Sequence, residues 1–131
     1  MPADRDRRLL VFAESAAAAV TRGQTPAAVR LLAIAMAEAT EAGCPAAAEA
    51  ARAKLLAVSP RHLVGRAASA AEAMRDAEIS EFLSSVRRQL PFEEAELWAD
   101  SRPADDRPDV GGRTACKAAA AWLDAAAPPA A

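Results

Sequence analysis

A chain of 131 residues and 13.6 kDa is one domain, or one domain with an appendage. It holds 39 alanines, no tyrosine and 4% aromatic residues, which excludes an all-β fold built on β-branched and aromatic side chains. Apolar content of 53% excludes disorder of the chain as a whole, and no apolar run reaches the ~20 residues of a bilayer span. The net charge of −2 argues against a nucleic-acid or membrane partner, because such partners call for a basic excess. Arginine outnumbers lysine 14 to 2, a bias that suits carboxylate or phosphate recognition and that GC-rich coding produces equally well together with alanine.

The predicted elements are all helices. Residues 5–22 place Leu9, Phe12, Ala13, Ala16, Ala17 and Val20 on one stripe of helical period, with Asp4 as cap and Gly23 as a left-handed stop. Thr25-Pro26 then reads as an N-cap followed by a proline that opens a second helix. That helix runs to about Ala42, with Val29, Leu32, Met36 and Ala39 inward and Gly43 as its stop. Cys44-Pro45 repeats the device and opens a third helix to Val58. Gly23 and Gly43 lie 20 residues apart, and connections this short make neighbouring helices antiparallel.

Residues 59–66 break the pattern and read as an ordered loop or a single irregular turn. Ser69-x-x-Glu72 is a capping box that opens a short helix through Met74. Ile79, Phe82, Leu83, Val86 and Leu90 form the cleanest stripe, on a helix over 77–89, and Pro91 opens another to Asp100. Phe82, Phe92 and Trp98 fall in this half, which is expected to supply the bulky core that the alanine-rich half lacks. The composition of residues 101–113 marks a mobile linker. Thr114 then caps a last helix through Ala127, on which Trp122 and Leu123 must dock on something to make it stable. The fold class is therefore an all-α antiparallel helical-hairpin bundle of about five or six helices over 1–100, a linker over 101–113, and a detachable C-terminal helix within 114–131.

Residues 29–62 place Leu32, Gly43, Ala48 and Pro60 at spacings that resemble a tetratricopeptide repeat, a roughly 34-residue helical hairpin. Met36, Ala39 and Arg52 depart from that pattern, and no second copy follows. The resemblance implies a peptide- or protein-binding groove and carries over no catalytic residue.

Candidates for chemistry are few. His62 is the single histidine, so no multi-histidine metal site exists, and zinc held by Cys44, His62, Cys116 and a carboxylate would lack the usual ligand spacings. Arg61, His62 and Arg66 form a candidate grip for a phosphate or carboxylate. Alternatively, Arg61 and His62 bond helix-end carbonyls or solvent. Cys44 at a helix N-terminus is either a reactive thiol or a small buried side chain. Arg87-Arg88 read as a solvated pair favoured by the helix dipole. No phosphate-binding, dinucleotide, nucleophile-elbow or zinc-protease motif is present, and no catalytic residue, metal or cofactor is expected.

Residues 1–8 are charged and run straight into a helix pattern without an apolar leader, which predicts a cytoplasmic protein with reduced thiols. The expected function is a non-catalytic adaptor or scaffold that binds another protein, or itself, through a helical face, with Trp122 and Leu123 on a partner-docking helix. The alternatives are a nucleic-acid or anion-binding module using Arg61, His62, Arg66, Arg87 and Arg88, and a small thiol-dependent enzyme.

Overall fold

A computed structural model describes residues 2–101 and 114–129. Among the described residues there are seven α-helices and no strand: α1 (Pro2–Thr21), α2 (Thr25–Glu41), α3 (Pro45–Val58), α4 (Ala70–Ala73), α5 (Ala77–Gln89), α6 (Phe92–Ser101) and α7 (Ala115–Ala125). The expected linker lies outside the described residues, apart from Ser101, which ends α6.

The first three helices stack as two antiparallel hairpins with matching turns. At the first turn, the Gln24 amide donates to the Ala19 carbonyl and the Gly23 amide to that of Val20. At the second, Cys44 donates to Ala39 and Gly43 to Thr40. Both are Schellman closures around a glycine in the left-handed region, Gly23 at φ 71° and Gly43 at φ 75°. Gly23 is doubly constrained, because a Cβ there would also meet Pro129 Cγ at 3.1 Å.

Two caps differ from expectation. α1 already starts at Pro2, so Asp4 lies inside the helix rather than capping it. Gln24, not Thr25, occupies the N-cap of α2, and it makes no side-chain bond. The expected cap of α7 holds, with Thr114 accepting from the Lys117 amide, and α5 gains a cap that was not expected, Asp76 accepting from the amides of Glu78 and Ile79.

α2 is the centre of the molecule. Every residue from Leu31 to Ala39 is buried, as a helix that is apolar on all faces requires. α1 and α3 flank it, and α4 and α5 close the remaining side. The alanines buried on these helices leave little side-chain bulk between their axes. The bulky core thus sits on the alanine-rich half, with Phe12, Leu9, Leu32, Ile34, Met36 and Leu55 essentially inaccessible. The expected aromatic cluster does not form that core. Phe92 packs on Phe12 with ring centres 6.1 Å apart, Phe82 meets His62 instead, and the Trp98 side chain lies outside the described residues.

α6 runs antiparallel to α1, placing Phe92 beside Phe12 and Glu96 beside Arg7. α7 packs on α1 and α3 and runs parallel to α3. Cys44 is bonded to Cys116, Lys54 Nζ donates to the Asp124 carbonyl, and Val58 lines a crevice with Pro128, a constant stagger of 70–72 residues. The C-terminal helix is therefore detached in sequence but joined in space, and Leu123 is fully buried in the common core.

One charge lies inside this packing. Glu38 of α2, 5% exposed, accepts from Arg8 of α1 (Nη2 to Oε1, 3.2 Å) and from Arg87 of α5 (Nη2 to Oε1, 3.4 Å). Arg87 Nη2 also reaches Glu41 Oε1 at 2.9 Å, and the Arg8 guanidinium lies 4.8 Å from the ring centre of Phe92. Arg87 is thus an internal tie and not half of a solvated pair, whereas Arg88 stays exposed. Replacing Glu38 with Ala should cost about 1.5–3 kcal/mol, the range for hydrogen bonds to charged groups, because Arg8 loses its carboxylate acceptor and Arg87 keeps only Glu41. Urea denaturation of the two proteins measures the difference.

Candidate functional site

The segment after α3 is built by local bonds. The Ser59 amide closes α3 onto Leu55, and a single 3-10 turn follows over Leu63–Arg66. His62 is the cap of that turn. Its Nδ1 accepts from the Val64 amide at 3.1 Å, which requires the neutral ring with its proton on Nε2. The ring also stands edge-on to Phe82, with centres 4.9 Å apart. Burial pushes the His62 imidazole below its ordinary 6.5 by disfavouring the cation.

Arg66 is committed in the same way. Its Nη1 bonds Glu78 Oε2 at 2.9 Å and its Nη2 bonds Asp76 Oδ2 at 3.1 Å, and these carboxylates, Glu78 foremost, raise its pKa. Asp76 is held below the usual carboxylate range, first by the Ile79 amide it caps and then by Arg66. An incoming anion at Arg66 would have to displace two carboxylates. Arg61 stands exposed, so the three residues of the expected grip are given separate tasks.

A shallow cleft of about 110 Å³ lies between the α2–α3 turn and α4, lined by Thr40, Cys44, Pro45, Ala48, Glu49 and Ala70, among others. Glu49 Oε1 accepts from the Ala70 amide and Arg52 donates to the Ala67 carbonyl, so α3 pins the entry to α4. Ser69 caps α4 by accepting from Glu72, and Glu72 returns to the Ala68 amide rather than to its own cap.

The thiols are the clearest departure from the sequence-based expectation. Cys44 and Cys116 form a disulfide with Cα atoms 5.3 Å apart, within the range that a disulfide spans. Neither cysteine is free, so the reactive-thiol reading of Cys44 has no nucleophile in this state. An even cysteine count, with both residues at predicted helix starts, was the available signal. Glu38 had a signal too, as a lone acid within an otherwise apolar run.

Trp122 and Leu123 dock on the chain's own α1 and α3, which corrects their assignment to a partner surface. Leu123 is fully covered and Trp122 is half-buried. The large apolar side chain left in water among the described residues is Leu97 of α6, 69% exposed. Among those residues, no helix is long and apolar enough to cross a membrane, and no cluster of three metal-ligating side chains occurs. Compared with protein-family models, curated proteins and solved structures, the chain matches none.

The state of His62 gives a pH dependence. Its folded pKa lies below the unfolded 6.5, so the unfolded chain takes up the proton more readily. The His62 contribution is complete above about pH 6.5 and is lost as pH falls toward the lower folded value. Asp76 acts lower down, losing its contribution only as pH falls through its depressed value, below 3.8. Melting temperatures between pH 5 and pH 7.5 should therefore fall on acidification in the native chain. They should stay flatter in His62→Asn, whose amide oxygen can keep the cap.

Proposed function

We propose that this chain is a non-catalytic protein-binding module that docks a partner protein, a second copy included, on the outer face of α6. The carrying observation is Leu97. It is 69% exposed on a helix that leans on α1, and the rim beside it is polar, formed by the Arg7–Glu96 ion pair at 2.6 Å. An apolar centre with a charged rim is how protein interfaces are commonly built.

The tetratricopeptide-like resemblance of residues 29–62 implies the same class of activity, but α2 offers no groove, since Leu31–Ala39 is covered on every side. Binding through α6 also leaves the basic residues to their internal duties. Arg66 and Arg87 are neutralised by carboxylates, which supports a protein partner over a nucleic acid. The joined cysteines favour an oxidising compartment over the reduced cytoplasm.

Burying a leucine stabilises a complex by about 2 kcal/mol, worth more than tenfold in affinity. Leu97→Glu should thus cut partner recovery from native extract, or self-association in sedimentation, by about tenfold or more. Its melting temperature should remain that of the native chain. Undiminished association in Leu97→Glu would remove α6 as the docking face.

A further inference from the structure

We propose that the Cys44–Cys116 disulfide is a redox clasp, whose reduction releases α7 from α1 and α3 while the rest of the bundle stays folded. The seat of α7 is thin. Its fully buried side chains are Ala118, Ala119, Leu123 and the adjoining Ala126, with Cys116, Ala120 and Trp122 partly covered, so Leu123 is its one large side chain that is fully covered. Of the largest fully buried side chains, Phe12, Leu9, Leu32, Ile34, Met36 and Leu55 belong to α1, α2 and α3, whereas α7 supplies Leu123. The partial cover of Trp122 is offset by its Nε1–H, which is buried without a hydrogen-bond partner and regains water when the helix leaves. An alanine-rich helix of 11 residues has little stability of its own to add.

The position of the two sulfurs favours cleavage. Cys44 is the N-cap of the 14-residue α3, and Cys116 is the second residue of α7, which runs parallel to it. Two positive helix ends are thereby held side by side. Each stabilises a thiolate, a charge the disulfide lacks and the reduced pair supplies. Cys116 is the more accessible of the two residues, being half-buried where Cys44 is 2% exposed.

The electrons come from a dithiol reductant. One of its thiolates attacks Cys116 Sγ, the Cys44–Cys116 bond breaks, and Cys44 leaves as a thiolate that can take a proton from water. The second reductant thiolate then attacks the reductant's own sulfur in the mixed disulfide. That step closes the reductant's disulfide and frees Cys116, so two electrons have passed from dithiol to disulfide. Reoxidation by a disulfide of the oxidising type reverses both steps and reseats α7.

Hydrogen–deuterium exchange on the full chain tests the clasp, comparing the oxidised protein, the same protein in dithiothreitol, and the Cys44→Ser/Cys116→Ser variant. Intact mass first verifies that the oxidised chain lacks two hydrogens relative to the reduced one. Amides of 117–125 should exchange about tenfold faster or more in both disulfide-free forms, while those of 31–39 keep their protection. Unchanged exchange in 117–125 would show that packing alone seats α7 and overturn the proposal. Loss of protection in 31–39 together with 117–125 would also overturn it, making the bond a staple of the whole fold. Absence of the disulfide from the oxidised protein would remove its basis.

Discussion

A stretch of helix buried on every side has no face on which to carry a charge, yet Leu31–Ala39 of α2 includes Glu38. An ionised carboxylate in such a place is costly unless it is paired and hydrogen-bonded. The pairing comes from two directions, Arg8 on α1 and Arg87 on α5, and Arg8 in turn lies over Phe92 on α6. Three helices therefore meet at one carboxylate, and Phe92 ties a fourth to it through Arg8. Hydrophobic burial is non-directional and leaves alanine-lined helices free to slide along one another. A forked donor and a fixed acceptor are directional, so this junction sets the register that the small side chains leave open.

The alanines and the turns act together. Small side chains let α1, α2 and α3 approach closely, and the twin Schellman closures at Gly23 and Gly43 reverse the chain within that short distance. α7 then adds a third helix running in the direction of α1 and α3, with α2 opposed to all three. Parallel neighbours gain nothing from opposed helix dipoles. Their alignment rests on side-chain contacts and, at the N-terminal end, on a covalent bond.

Helices were legible in the sequence because their punctuation is local. Gly43, Pro45, Ser69, Pro91 and Thr114 each act within a turn of where they stand, and α5 occupies the residues its apolar stripe marks. What was not legible depends on partners far along the chain. Glu38 finds its arginines 30 and 49 residues away, and Cys44 finds Cys116 at a separation of 72. The loop at 59–66 shows the same limit at shorter range. Its donors were visible as residue types, but Asp76 and Glu78, which occupy Arg66, could be recognised as its acceptors only once the chain had folded back. Periodicity marked Phe82 as core without showing that its neighbour would be a histidine ring.

The disulfide also divides the chain mechanically. A bond between residues 44 and 116 encloses α3, α4, α5 and α6 in a covalent ring, while α1 and α2 lie outside it. Tension applied at residues 1 and 131 passes through the sulfurs and never loads the ring. Fully stretched, the oxidised chain would extend to roughly 200 Å instead of roughly 450 Å at about 3.4 Å per residue. Any machine that threads the polypeptide through a narrow channel would meet a doubled strand at Cys44, and would have to admit both strands at once or stall until the bond is opened.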